Sequence, residues 1–443
     1  MMQLSEIANL LNVSVSTDVA LTGVSIDSRQ VIPGNLFIAL AGDRFDGHTF
    51  VNEAIAAGAA AVICSRDIPD ITLPQLVVKD PIKALAAIAA AHRHKLSCEV
   101  IALTGSNGKT TVKEMIAKIL PEPSYATPGN LNNHIGVPLS VLQLKEAHRY
   151  AVFELGANHS GEISYTVAIA QPKVVLINNI APAHIGEFGS IEGVARAKGE
   201  IYQGVISSGT AVVNDDDNFA HFWDSLLTHV NILRFSAKHP SDIYAKEMTY
   251  DKEDCGRFCL VVPDGEIDIK LHVPGAHNVQ NALAAAACTY ALGIPLTTIA
   301  EGLAQFYGVG GRMTFLQGKN NAVIIDDTYN ANLSSSLSAL DVLAKRPGRR
   351  VFVFGDMGEL GDWSEDHHRD VGTAAHERGI ELLMTCGAMS ELTSKAYGLT
   401  ARHYLRQDDL IRDLLVELNA NTTVLVKGSR SSAMEKIVHQ LVG

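Results

Sequence analysis

The stretch that most constrains the fold is residues 100–120, VIALTGSNGKTTVKEMIAKIL. Val100, Ile101, Ala102 and Leu103 form a short apolar run of the kind a buried strand needs. Gly105, Ser106, Asn107 and Gly108 make a tight polar turn. Lys109, Thr110 and Thr111 then open a helix whose apolar residues Val112, Met115, Ile116, Ile119 and Leu120 share one face. A strand feeding such a turn at a helix N-terminus is an anion site. Unpaired amides point outward, the helix dipole adds partial positive charge, and glycine lets the backbone approach a phosphate. Lys109 supplies a point charge for terminal phosphates, and the Thr110 hydroxyl can hold Mg2+. The general phosphate-loop pattern has a glycine where this chain has Leu103, so TGSNGKT is a shortened form. A turn that merely happens to carry Gly-Lys is disfavoured, because strand, turn, Lys-Thr and amphipathic helix fall in register. The rest of the chain is therefore expected to surround a bound ATP.

The 443 residues allow about two to four domains. Lys and Arg total 36 against 48 Asp and Glu, a formal charge of −12. That balance argues against nucleic acid or an anionic membrane as partner, and an anionic substrate must meet a local basic patch. The six cysteines are scattered without a CxxC pair. Cys255 and Cys259 lie closest, in DCGRFCLVV, but no second pair completes a metal site, so strand residues near a turn are expected there. Free thiols suit a reducing compartment. The start, MMQLSEIANLLNVS, lacks the basic and apolar regions of a signal peptide, and the Ala-rich run 282–294 is too short to cross a bilayer. A cytoplasmic, non-membrane protein is expected, and nothing demands an obligate oligomer, so a monomer.

Residues 1–82 read as a small α/β unit, with a helix at 4–11, strands at 24–28, 36–39 and 61–64, and a helix at 50–57 ended by Gly58. Its polar turns carry Asp27, Ser28 and Arg29, and then the run from Asp43 through Asp46 to His48, which could bind phosphate or sugar. On residue types alone solvated loop charge is preferred. Residues 83–311 hold the phosphate loop. The run 151–153 ends in Glu154, and the run 174–177 leads through Asn178 and Asn179 to His184. In parallel α/β sheets ligands sit outside the carboxyl ends of the strands. Glu154 suits Mg2+ as a hard oxygen donor, whereas a lone histidine is more often structural. Lys198, in an expected helix over 191–202, reads by itself as a surface lysine. After Val213 the chain turns polar and irregular up to Pro274, with short strands at 258–262 and 269–273. Asn278 and Asn281 then lie one turn apart at the start of an Ala-rich helix, either as amides reading an adenine edge or as an N-cap and a solvated turn. Gly308, Gly310 and Gly311 mark a hinge. Residues 312–443 alternate strands, at 323–325, 351–354, 382–385 and 423–426, with helices, including 334–344 and 410–418. This reads as a Rossmann-like domain without the GxGxxG of NAD binding. The fold class is thus α/β in three domains: a small substrate domain, a P-loop ATPase-like parallel sheet, and a Rossmann-like C-terminal domain.

Together TGSNGKTT, ELGANHSGEI, NNIAPAHIGEFGS, AKGEIY and AHNVQNALAA resemble the Mur ligases, ATP-dependent amide ligases of peptidoglycan precursor synthesis, over nearly the whole chain. NLNNHIGVPLSVL, DDTYNANLSSSLSAL and VFGDMGELGD resemble the branch that joins D-alanyl-D-alanine to UDP-N-acetylmuramoyl-tripeptide. The DNPR-type motif of the diaminopimelate-adding branch is missing from the sequence. The resemblance implies ATP and Mg2+ as cofactors, with Gly105, Ser106, Asn107, Gly108, Lys109, Thr110 and Thr111 around the phosphates. It implies Glu154 and His184 on a second metal. Lys198 falls on the lysine that is often carbamylated, which turns a cation into a metal-binding anion. Asn278 and Asn281 fall on the adenine side, and Arg312 and Asp327 on residues that reach the nucleotide when the domains close. Ser28, Arg29, Asp46 and Asn133 fall to the UDP-tripeptide, and Tyr329, Asn330 and Asn332 to the incoming dipeptide.

The implied reaction is phosphoryl transfer to a carboxylate, followed by attack of an amine on the acyl phosphate. Two anions must meet, so the site needs positive charge more than a nucleophile. Water must be kept from the acyl phosphate, which a closing third domain would do. One rival is a family ligase adding a single amino acid. The other is a nucleotide switch that makes no bond, for which Glu154, His184 and Lys198 would be superfluous.

Overall fold

The computed structural model describes residues 2–42, 45–182 and 185–442. At the N-terminus a four-stranded parallel sheet runs in the order Gly23–Ser25, Asn35–Ile38, Ala61–Cys64, Gln75–Val77. The helix Leu4–Leu11 lies where expected and buries Leu4, Ile7 and Ala8 against this sheet. The first strand stops earlier than expected. The Asp27 carboxylate accepts from the Arg29 amide and turns the chain into the 3-10 segment Ser28–Gln30. The helix Pro81–His94, capped by Asp80, gives Leu85 and Ile88 to this core and Ala86 and Ala89 to the next.

The central sheet has nine strands. From one edge they run Ser124–Ala126, Tyr150–Glu154, Glu99–Thr104, Val174–Ile177, Thr210–Asn214, Asn231–Ser236 and Ile243–Tyr250, all parallel. The strands Cys255–Val262 and Gly265–Pro274 then join antiparallel. Alternation along Glu99–Thr104 divides two apolar layers. Ile101 and Leu103 face the helices Lys109–Ile119 and Ala276–Tyr290; Val100 and Ala102 face Pro81–His94 and Glu162–Ala170. The Ala-rich helix Ala276–Tyr290 packs closely on Lys109–Ile119 because its side chains are small. The stretch after Val213 carries four strands of this sheet: the expected 258–262 and 269–273 fall within Cys255–Val262 and Gly265–Pro274, whereas Asn231–Ser236 and Ile243–Tyr250 lie where irregular chain was expected. Ile243–Tyr250 is exposed over its second half and Gly265–Pro274 alternates exposed and buried residues, which reads as polarity in sequence. Cys255 and Cys259 are strand residues, and all six cysteines are free and buried.

The C-terminal sheet has six strands in the order Thr314–Gln317, Val323–Asp327, Thr422–Lys427, Arg349–Gly355, Leu382–Cys386, Arg402–Tyr404. All are parallel except the first, an antiparallel edge strand that the sequence reading did not place. The strand order reverses around Thr422–Lys427, so the carboxyl ends at Asp327, Lys427 and Gly355 open onto one crevice, where such sheets bind ligands. No helix among the described residues is long and apolar enough to cross a membrane.

Candidate active site

The turn between Glu99–Thr104 and Lys109–Ile119 is held from three sides. Gly108 adopts φ +76° as the cap of the helix, and a Cβ there would come within 2.5 Å of Asn281 Oδ1 and 2.7 Å of Asn178 Nδ2. Asn179 Oδ1 accepts from the Asn107 amide at 2.8 Å, and Ser106 Oγ donates to the Ala181 carbonyl at 2.9 Å. Lys109 Nζ folds back onto the Gly105 carbonyl at 2.8 Å. An asparagine chain runs beneath. Asn178 Nδ2 donates to Asn281 Oδ1, Asn281 Nδ2 to Asn278 Oδ1, and Asn278 Nδ2 to the Pro274 carbonyl. Asn278 and Asn281 are buried and the helix cap is Gly275, so the alternative of a capping asparagine and a solvated turn does not hold.

Glu154 ends its strand 2 % exposed. Its Oε2 accepts from Thr110 Oγ1 at 2.8 Å and its Oε1 from Asn132 Nδ2 at 2.7 Å. Arg312 crosses from the C-terminal domain. Its Nη2 donates to Thr110 Oγ1 at 2.8 Å while its guanidinium lies over the Tyr329 ring, 4.1 Å from the centroid. Beside it Lys427 Nζ donates to Asp327 Oδ2 at 2.6 Å and to the Asn330 carbonyl at 2.9 Å, a pair set by the register of adjacent strand ends. Asn332 caps the helix Leu333–Ala344 through Oδ1, and its Nδ2 donates to Asn107 Oδ1 at 2.8 Å. Phosphate loop and C-terminal domain are thus in direct contact around a cavity of about 530 Å³.

Lys198 contradicts its surface reading. It sits in the last turn of Ile191–Gly199, 2 % exposed, and lines this cavity, because Val194, Ala195 and Ala197 of the same helix are buried with it. Burial, and then the like charge of Lys109, hold its amine well below the ordinary lysine range. Lys109 is lowered too, chiefly by burial and against the opposing pull of Glu154.

The cavity brings together Ser106, Asn107, Gly108, Lys109, Thr111 and Glu154 from the central domain, with Lys198, Asn278 and Asn281. Arg312, Asp327, Tyr329, Asn330 and Asn332 line it from the other side, and Asn133 lines it as well. His184 lies outside the described residues. Ser28, Arg29 and Asp46 do not line this cavity. Ser28 Oγ donates to Glu53, and Arg29 pairs with Asp27, whose carboxyl it lowers to about 2. Asp46 is a structural hub rather than solvated loop charge, binding the His48 amide and ring and the Arg66 guanidinium.

Asn132, Asn178, Asn179, Lys427 and Arg430 were not singled out as site residues. The first three hold Glu154 or the phosphate loop, and the last two line the cavity from the C-terminal domain. Asn178, Asn179 and Lys427 follow or end parallel strands, which is the signal that could have found them. Asn132 lies in a loop with no such signal.

Three family models match in chain order: "Mur ligase family, catalytic domain" at residues 20–93, "Mur ligase middle domain" at 103–289, and "Mur ligase, glutamate ligase domain" at 311–430. The UDP-N-acetylmuramoyl-tripeptide–D-alanyl-D-alanine ligase of Escherichia coli is 44 % identical over 99 % of this chain and 98 % of its own length. That of Haemophilus influenzae is 40 % identical over 98 % and 97 %. The crystal structure of MurF from Acinetobacter baumannii superposes with a TM-score of 0.92 at 38 % identity, covering 99 % of this chain and 98 % of that one. MurF of Thermotoga maritima in complex with ADP gives 0.83 at 27 % identity over 94 % and 96 %. With phosphate loop, buried Glu154 and an arginine from a third domain converging on one cavity, and with identity running the length of the chain, this protein belongs to the Mur ligase family.

Proposed function

We propose that this chain joins D-alanyl-D-alanine to UDP-N-acetylmuramoyl-tripeptide at the expense of ATP. The observation that carries the reading is the convergence of Lys109, Glu154 and Arg312 on one cavity between two domains. Full-length identity to ligases named for that reaction supports the choice of substrates, and ADP in the Thermotoga relative supports the nucleotide.

In this reading the tripeptide's terminal carboxylate attacks the γ-phosphorus of ATP, giving an acyl phosphate and ADP. The dipeptide amine then adds to the acyl carbon, loses a proton, and phosphate leaves as the amide forms. Lys109 and the amides of Gly108–Thr111 draw charge from the phosphates. Arg312 brings a further cation when the C-terminal domain closes. Asn278 and Asn281 hold the adenine side, and Asp327, fixed by Lys427, faces the nucleotide. Glu154 and the Thr110 hydroxyl form a hard-oxygen donor set that fits Mg2+, with His184 and a carbamylated Lys198 completing the metal ligands. Its low proton affinity keeps the Lys198 amine toward the neutral form that adds CO2. Bound Mg2+ would neutralise the phosphates and polarise the reacting phosphoryl group. Ser28, Arg29, Asp46 and Asn133 are assigned to the UDP-tripeptide, and Tyr329, Asn330 and Asn332 to the acceptor side. The Asn332–Asn107 contact helps keep water from the acyl phosphate.

The test is phosphate release with ATP, Mg2+ and UDP-N-acetylmuramoyl-tripeptide, with and without D-alanyl-D-alanine, and the mass of the new amide. Strong dependence on the dipeptide with a pentapeptide product is expected. Activity with a single amino acid instead would move the chain to the alternative ligase class. Turnover indifferent to both substrates would sink the ligase reading.

A further inference from the structure

Among the described residues, the lysines and arginines that line the cavity are Lys109, Lys198, Arg312, Lys427 and Arg430. An incoming dipeptide needs its amine free to attack, so its carboxylate must be held elsewhere, by a cation that neither the phosphate turn nor a buried partner already occupies. Lys109 belongs to the phosphate turn, and Lys198 is buried on the central-domain side. Arg312 is committed to Thr110 and stacked on Tyr329. Lys427 is buried and committed to Asp327 and the Asn330 carbonyl. The residues expected to hold the dipeptide are also engaged. Asn332 spends both ends of its amide, and Asn330 Oδ1 accepts from the Ala331 amide.

Arg430 differs. Its side chain is 69 % exposed and pairs with Glu435 Oε1 at 3.1 Å. An exposed pair of this kind contributes little and exchanges readily. Its base is firmly placed. Arg430 opens the 3-10 turn Arg430–Ser432 just beyond the strand end at Lys427, at the point where the sheet order reverses. The Asp356 carbonyl accepts from both the Ser429 amide and Ser432 Oγ, each at 2.9 Å. A guanidinium on a fixed base, with a head free to trade one carboxylate for another, suits bidentate capture of a carboxylate.

We propose that Arg430 binds the C-terminal carboxylate of the incoming D-alanyl-D-alanine, a role that rests on the ligase reading above. Arg430 thereby orients the dipeptide with its amine toward the phosphate loop, and Glu435 holds the guanidinium between turnovers. A dipeptide reaches at most about 7 Å from amine to carboxylate, so the receptor also rejects acceptors that lack a carboxylate at that distance.

The experiment compares D-alanyl-D-alanine with its C-terminal amide, using the full-length parent enzyme, Arg430→Ala and Arg430→Lys. Loss of a charge-assisted bidentate contact raises the KM for the dipeptide by about 10- to 100-fold in Arg430→Ala. KM for ATP and for the UDP-tripeptide should stay within about twofold, which also reports that the variant is folded. The parent should discriminate against the amide by a similar factor, and Arg430→Ala should not discriminate. Arg430→Lys, which keeps the charge and loses the fork, should fall between. An unchanged dipeptide KM in Arg430→Ala, or undiminished discrimination against the amide, overturns the proposal. A parent enzyme that makes no amide with the dipeptide overturns the ligase reading instead, whatever Arg430 does.

Discussion

Removing the Asn132 amide should loosen Glu154 without touching the phosphate loop. Glu154 is held at both oxygens, by Thr110 on one and by Asn132 on the other at 2.7 Å. Asn132 is itself placed by its carbonyl, which accepts from the Gly156 amide at 2.8 Å. A hydrogen bond to a buried carboxylate is worth about 1.5–3 kcal/mol, or roughly 10- to 150-fold in an equilibrium constant. Loss of a group that orients a metal ligand costs about 10- to 100-fold in metal affinity, in the same range. Asn132→Ala is therefore expected to raise the half-saturating Mg2+ concentration for ligation by about 10- to 100-fold, with the KM for D-alanyl-D-alanine little changed. Asn132→Asp keeps the shape but sets a second carboxylate against Glu154, so it should not restore the parent profile at low Mg2+. The assay is a Mg2+ titration of phosphate release at saturating substrates. A folded Asn132→Ala enzyme with the parent's Mg2+ profile would refute the idea that Asn132 orients Glu154 for the metal.

Three further outcomes are expected. Gly108→Ala places a Cβ within 2.5 Å of Asn281 Oδ1 at φ +76°, so it should abolish the shift in unfolding temperature that ADP gives the parent while the apoprotein still folds. Lys427→Met strands the Asp327 carboxylate and should cost about 3–5 kcal/mol in chemical denaturation, whereas Lys427→Met with Asp327→Asn should recover most of the stability but not ligation. Burial holds His368 below the usual imidazole value of 6.5, and its Nε2 accepts from the Met357 amide, a bond that protonation would break. The unfolded chain takes up that proton near 6.5 and the folded one only at lower pH. Stability is therefore complete above that value and falls as pH drops below it. Unfolding midpoints measured from pH 7.5 to about 5.5 should decline, and less steeply in His368→Gln.

The parts legible in sequence were those where one local pattern fixes both structure and chemistry. TGSNGKT sets its own turn and helix start, the geometry from which a phosphate-binding face was inferred. The apolar run before Glu154 likewise marked a strand end. Taken alone Lys198 read as a surface lysine, because its burial comes from how its helix packs and a lysine near a helix end gives no hint of that; only the family resemblance assigned it to the site. After Val213 the strands at 258–262 and 269–273 were legible, but Asn231–Ser236 and Ile243–Tyr250 were missed because each is buried at only one end and exposed at the other. Asn132 and Asn332 owe their roles to partners 22 and 225 residues away, which no local pattern encodes. The Asp46 hub was hidden for the same reason: its Arg66 partner lies on the far side of a helix and a strand.

The most direct test of the account is the fate of the carboxylate oxygen. UDP-N-acetylmuramoyl-tripeptide labelled with 18O in its terminal carboxylate is turned over with ATP, Mg2+ and D-alanyl-D-alanine, and the released phosphate is analysed by mass. If this cavity activates the carboxylate as an acyl phosphate, each amide formed delivers one labelled oxygen to phosphate. Amide formation with unlabelled phosphate would contradict that chemistry, and with it the roles of Lys109, Glu154 and Arg312 in forming the acyl phosphate.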